Sequence, residues 1–185
     1  LGGGESVESK SLLRQKKWYK SNKVRLKTQS TVHSIDRGKK TITVNNGDVI
    51  KFDKLVIASG AVPKELPSSK DMGNAFVLRQ PADANAIRQT ANNSDSVVII
   101  GGGYIGLEVA SSLRKKGMEI TVIEAGERIL ARVASQPLAD LLHKLHEDNG
   151  VTVITGVGVE SVNQEDGIFQ SVTLSDGRVI EGEML

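Results

Sequence analysis

Apolar residues along this chain run together in the middle and alternate with polar ones towards the end. Val97–Ile100 is a continuous apolar run that enters three glycines, Gly101–Gly103. Such a run, bounded by turn formers, reads as a strand buried on both faces of a parallel sheet. From Tyr104 to Lys116 the apolar spacing becomes helical, and Gly117 stops it. "MEITVIEAG" reads as the next strand. Residues 136–149 place Leu138, Leu141, Leu142 and Leu145 on one helix face, with Gly150 as the stop. "VTVITG" reads as a third strand. Strands alternating with helices in this way predict an α/β class with a parallel sheet. The tail, "GVESVNQEDGIFQSVTLSDGRVI", changes to period two and predicts an antiparallel meander turning at Glu165–Gly167 and Asp176–Gly177.

Upstream the elements are shorter. Residues 11–20 predict a short helix with Leu12, Leu13 and Trp18 turned inward. "KVRLKT" and "STVHSID" read as strands, and "TITVNNGDVIKFD" as a hairpin about Asn46-Gly47. "KLVIASG" has the look of another strand buried on both faces. "AVPKELPSSKDMGN" holds two of the four prolines and reads as a linker before a helix over "ADANAIRQTANN".

Composition narrows the function classes. No apolar run approaches the roughly 18 residues of a membrane span, and no signal-peptide pattern opens the chain. There are no cysteines, so neither a disulfide framework nor a thiolate metal site is available. A cytoplasmic protein with no membrane partner fits these features. His143 and His146 share a helix face, which reads as a solvated helix end, and no metal site is expected. Aromatics are only 3% and do not interleave with basic residues, so nucleic acid is not an expected partner. The net charge of +2 conceals an asymmetry: Leu1 to Lys64 carries +9, and Glu65 to Leu185 carries −7. The basic part would favour an acidic partner by electrostatic steering. "LGGGES" has no strand before it, and "GRVIEGEML" stops where a strand starts. The chain is therefore expected to be an internal piece of a longer protein.

The glycines carry the chemistry. Gly101, Gly103 and Gly106 form G-x-G-x-x-G between a strand and a helix, with Gly102, Tyr104 and Ile105 filling the loop. Gly101 permits the tight turn, Gly103 lets backbone approach a pyrophosphate, and Gly106 lets helix and strand pack closely. Glu124, 23 residues after Gly101, closes the second strand where a carboxylate bonds adenosine ribose hydroxyls. A Rossmann-type dinucleotide site follows, but the same pattern serves FAD and NAD, and these residues alone leave the choice open.

"FDKLVIASGAVP" resembles the second FAD-contact motif of the two-dinucleotide flavoproteins, whose core Ala-Thr-Gly appears here as Ala58-Ser59-Gly60. The resemblance covers essentially the whole chain. It is strongest to the putidaredoxin, rubredoxin and dioxygenase-type ferredoxin reductases of the pyridine nucleotide-disulfide oxidoreductase superfamily. "STVHSIDRGKKTITVNNGDVIKFDKLVIASGAVPKEL", "FVLRQPADANAIR", "VVIIGGGYIGLEVASSLRKKG" and "VIEAGERILARVASQPLADLLHKLHEDNGV" carry it. In that family the motif precedes the NAD(P)H domain, so the resemblance assigns Gly101–Gly106 to NAD(H). It implies a partial FAD-binding domain at 1–66 and an NAD(H)-binding domain at 67–185. It also implies hydride transfer from NADH to FAD, and single electrons passed to a small iron–sulfur or rubredoxin-type carrier.

Residue roles follow the same resemblance. Tyr104 is similar to the gate tyrosine over the flavin. Glu108 is similar to the glutamate that bonds the nicotinamide carboxamide, and by position it reads as a first-turn helix carboxylate. Arg132 resembles an arginine beside the adenosine, with Arg128 sharing that work. Val32 resembles the residue whose backbone meets the FAD adenine, and Ala58, Ser59 and Gly60 its ribose and phosphate contacts. The family's first FAD glycine loop, the lysine partner of Glu108 and the late Gly-Asp motif are absent, so this chain by itself is expected to be inactive. Rival members are an NADH oxidase, a nitrite-reductase flavin subunit and a disulfide reductase. A rival of another class is an NADH-sensing binding protein like the apoptosis-inducing-factor relatives.

Overall fold

The computed structural model describes residues 12–64 and 66–185. These fall into two compact units, Leu12–Ala61 and Val62–Leu185. The opening "LGGGES" and Ser11, where the first helix was expected to begin, lie outside the described residues.

Leu12–Ala61 holds one short helix, α1 (Lys16–Ser21), and an antiparallel sheet of β1 (Val32–Asp36), β2 (Thr41–Val44) and β3 (Val49–Lys51), in that order. The hairpin turns at the expected dipeptide: Gly47 has φ +84°, and the Asp48 N–H donates to Asn46 Oδ1 at 3.0 Å. Other expectations for this unit fail. Leu12 and Leu13 are exposed, Trp18 is 41% exposed, and α1 buries no residue. Six residues are too few to organise an apolar face. Trp18 packs edge-on against Tyr19 instead, with the Arg14 guanidinium 5.4 Å from its ring centre. Neither "KVRLKT" nor "KLVIASG" forms a strand, and Val56 and Ile57 are 86% and 71% exposed. A strand buried on both faces needs parallel neighbours. The described sheet of this unit is antiparallel throughout, and Val44 is its one buried apolar residue.

In Val62–Leu185, Pro81 opens α2 (Pro81–Thr90), and Gln80 and Asp83 cap it reciprocally. The expected alternation then appears: β4 (Ser96–Ile100), α3 (Tyr104–Arg114), β5 (Glu119–Glu124), α4 (Gln136–Asp148) and β6 (Val151–Thr155). The three strands are parallel, in the order β4-β5-β6. The tail forms the meander β7 (Val159–Glu165), β8 (Ile168–Leu174) and β9 (Val179–Glu181), turning where its sequence predicts. Burial explains the layers. Ile87, Leu107, Ala110, Leu113 and Ala139 of the helices share a core with Val97, Ile120, Val122 and Val151. Val98 and Ile123, pointing to the opposite face of the sheet, share another with Val162, Phe169, Val172 and Leu174 of the meander. The chain is thus α/β, a parallel sheet packed between helices and an antiparallel meander. Leu66 and Met72 of the expected linker pack against the meander core, which draws the linker into this unit.

The leucine stripe of α4 is a correction. Ala139 is buried and Leu142 packs on the core, but Leu138, Leu141 and Leu145 are 43%, 64% and 52% exposed. The helix is rotated so that Ala139, Leu142, His143 and His146 follow its inner side. Burial and the neighbouring His143 therefore hold the His146 imidazole below its ordinary pKa. Among the described residues no cluster of His, Asp and Glu forms a metal site, and no helix is long and apolar enough to cross a membrane. The final residues run beside β4: the Val98 N–H donates to the Met184 carbonyl at 2.9 Å, and the Phe76 N–H to the Leu185 carbonyl at 2.7 Å.

Candidate nucleotide-binding site

The site is built where β4 gives way to α3. Gly101 has φ +111°, a backbone conformation that disfavours any side chain, and its N–H donates to the Ile123 carbonyl of β5 at 2.7 Å. Gly103 caps α3 in an extended conformation, and a side chain there would meet nothing within 4 Å. The N–H groups of the first turn of α3 have no intrahelical acceptor, so they open towards this space with the positive end of the helix dipole. Gly106 is where helix and strand touch: a Cβ there would be driven into the Gly101 carbonyl oxygen. Gly101 thus makes the turn and Gly106 the close packing that their spacing predicts, and Gly103 leaves open space at the head of α3.

A cavity of about 1000 Å³ lies over this loop. Gly101–Gly106, Glu124 and Arg132 are among its lining residues, as are the apolar Val77, Leu78 and Met184. Tyr104 and Ile105 line it from the first helical position onward and are 51% and 57% exposed. Its size and mixed lining suit a dinucleotide.

Glu124 has a geometry that its spacing alone did not show. Its Oε2 accepts from the Gly102 N–H at 2.8 Å, and its Oε1 from the Gly126 N–H at 2.7 Å. Gly102 is buried, and a side chain there would come within 2.8 Å of Ile129 Cγ2 and 3.1 Å of Glu124 Cβ. The Leu130 N–H donates to the Gly102 carbonyl at 2.9 Å, with Leu130 itself at φ +53°. Gly126, two residues after the strand-ending acid, was the available sequence signal for this contact.

Two charged residues have settings that their spacing did not show. The resemblance sets Arg128 beside Arg132 at the adenosine. The Arg128 guanidinium donates to the carbonyls of Ile129, Ala131 and Ala134 at 3.4, 3.2 and 3.0 Å, so it is committed to its own loop. Glu108 is not a first-turn carboxylate: α3 begins at Tyr104, and its first turn holds no acid. Glu108 lies one turn further on, exposed, where the dipole acts weakly. It follows Tyr104 by four residues, so the two share a helix face.

The proposed FAD contacts lie in the other unit. Val32 is at the start of β1 opposite Val44, and 46% exposed. Ala58, Ser59 and Gly60 are exposed on irregular backbone, with Gly60 at φ +75°.

Residues 3–185 match the family model described as pyridine nucleotide-disulphide oxidoreductase. The chain belongs to that family. It is 35% identical to a probable ferredoxin reductase CtmF of Castellaniella defragrans, over 97% of this chain and 44% of that protein. It is 31% identical to a rubredoxin-NAD(+) reductase of Pseudomonas putida, over 98% of this chain and 47% of that protein. Among solved structures, the ferredoxin reductase for the CYP199A2 system of Rhodopseudomonas palustris superposes with a TM-score of 0.88 at 28% identity, covering 97% of this chain and 45% of that one. The reductase chain of a covalent putidaredoxin reductase–putidaredoxin complex superposes with a TM-score of 0.84 at 28% identity, over 96% and 45%. The chain therefore spans a little under half the length of these relatives.

Proposed function

We propose that this chain is the NADH-binding unit, with part of the FAD-binding unit, of a flavoenzyme that passes electrons from NADH to a small iron–sulfur or rubredoxin-type carrier. The observation that carries this reading is the space above Gly103: the close approach is left open on the side of the α3 N-terminus and blocked at Gly106. A diphosphate fits that cradle, since it places oxygens on unpaired N–H groups at the positive end of a helix. Residues 67–185 supply this site, and residues 1–66 contribute Val32, Ala58, Ser59 and Gly60 towards FAD. The setting is cytoplasmic in this reading.

FAD in the full-length protein would be held in part by Val32, Ala58, Ser59 and Gly60, and would supply the chemistry that links two-electron and one-electron transfer. This chain's own residues bind and orient the hydride donor. Gly101–Gly106 hold the diphosphate, Glu124 accepts hydrogen bonds from the adenosine ribose, and Arg132 lies beside the adenosine. Tyr104 and Glu108, on one face of α3, govern the nicotinamide end, Tyr104 as the movable cover and Glu108 as carboxamide acceptor. The full-length protein tests this. Rapid NADH-dependent reduction of a ferredoxin or rubredoxin is expected. Slow reduction with a long-lived charge-transfer complex would instead mark an NADH sensor.

A further inference from the structure

We propose that Glu124 is a positioning residue whose carboxylate braces the glycine loop against the loop after β5, independently of any contact with ribose. The inference rests on the dinucleotide reading of the site and adds a role to it. The two carboxylate oxygens take one backbone N–H each, Gly102 at 2.8 Å and Gly126 at 2.7 Å. These are charge-assisted bonds at near-ideal length. They join segments that are 22 and 2 residues away in sequence. The bonds continue on both sides: the Gly102 carbonyl accepts from the Leu130 N–H at 2.9 Å, and the Gly126 carbonyl from the Gly156 N–H at 2.8 Å. Glu124 therefore connects the diphosphate cradle, the Leu130 turn and the end of β6.

Packing supports the same role. Gly102 is pressed against the Glu124 side chain and Ile129, with no room for a side chain of its own. The Gly102 amide points into this contact, so Glu124 sets the orientation of the Gly101–Gly102 peptide plane, and the Leu130 N–H holds the carbonyl of the next plane, between Gly102 and Gly103. Reading ribose and bracing the loop are compatible, because each carboxylate oxygen has a second lone pair. They are separable because bracing needs two acceptors at once. Glutamine is nearly isosteric and still offers an oxygen to a diol, but its NH2 faces one of the two N–H groups as a second donor.

The test uses the 185-residue chain, wild type and Glu124→Gln, with three probes: NADH, ADP and 2′,3′-dideoxy-ADP, which keeps the diphosphate and adenine but has no diol. The brace predicts that Glu124→Gln weakens dideoxy-ADP about fivefold, the scale of one lost hydrogen bond. It also predicts that the Gly102 and Gly126 amides exchange with solvent about tenfold faster without ligand. Glu124→Asp, one methylene shorter with its charge kept, should speed the same exchange and serves if the Gln variant folds poorly. Unchanged exchange in both variants would overturn the proposal. So would dideoxy-ADP binding that is equal in wild type and Gln variant while NADH and ADP weaken. If the wild-type chain binds none of the three, the dinucleotide reading has failed, and amide exchange alone decides the brace.

Discussion

Alanine at Gly103 and at Gly106 should produce opposite phenotypes although both glycines belong to one motif. At Gly106 the new methyl would enter the Gly101 carbonyl oxygen and come within 3.3 Å of Ile99 Cγ2. The obstacle is backbone, so relief requires α3 to move off the β4 turn. Overpacking of this kind costs about 1–3 kcal/mol, a large share of the roughly 5–15 kcal/mol that holds a domain folded. At Gly103 the methyl meets nothing within 4 Å, and the backbone, at φ −83° and ψ 178°, is open to any residue. The cost there is only the weaker helix cap, about 0.5 kcal/mol. On the proposed placement of the diphosphate, however, the methyl stands in its path. Urea melts and NADH titrations of both variants provide the assay. Gly106→Ala should lower the midpoint clearly, whereas Gly103→Ala should keep it and lose at least tenfold in NADH affinity. A Gly103→Ala chain that binds NADH like wild type would refute the placement of the diphosphate. An undiminished midpoint for Gly106→Ala would refute the close packing of α3 on the turn.

Glu108→Ala, in the full-length protein, should slow flavin reduction by NADH on the order of 100-fold, the scale of an ångström of misplacement, with FAD content unchanged. Stopped-flow reduction at the wild-type rate would leave Glu108 as an exposed helix charge. His146 titrates lower in the folded chain than in the unfolded one, through burial first and His143 second. The unfolded state therefore binds more protons as pH falls below the ordinary histidine value. The stability that neutral His146 provides is present above about pH 6.5 and is lost as pH falls through its lowered folded pKa. Urea melts at pH 7.5 and 5.0 should show a smaller acid loss in His146→Gln than in wild type, and equal losses would refute the assignment.

The parallel sheet and the glycine loop were legible because their signals are local and strong: an apolar run, glycines at fixed spacing and a strand-ending acid. The meander was legible from period two and its Asp-Gly turns. The first unit was not. "KLVIASG" carries a strand composition but requires parallel neighbours, and the antiparallel β1–β3 sheet offers none. The α4 stripe misled because leucine spacing fixes a face without fixing its rotation. The sheet takes the line through Ala139, Leu142 and His146, and three leucines remain at the surface. At the site, the ends of the motif were readable and the tertiary contacts were not. No spacing rule shows that Arg128 turns back on three carbonyls, or that Glu124 spends a bond on each of two loops.

The central claim is that Gly101–Gly106 hold a nicotinamide dinucleotide whose adenosine ribose meets Glu124. Dissociation constants of NADH and NADPH on this chain test it most directly. A 2′-phosphate would be brought against the Glu124 carboxylate, and two unit charges about 4 Å apart repel by roughly 4 kcal/mol at an effective dielectric near 20. Solvent and counterions at an open site reduce this to about 1–3 kcal/mol, or roughly 5- to 150-fold. Arg128, held by its own loop, is not placed to offset that repulsion. Arg132 lines the cavity and is the guanidinium that would oppose it. The account predicts saturable binding of both coenzymes with NADH tighter by at least fivefold. Equal affinities, a preference for NADPH, or no binding of either would contradict it.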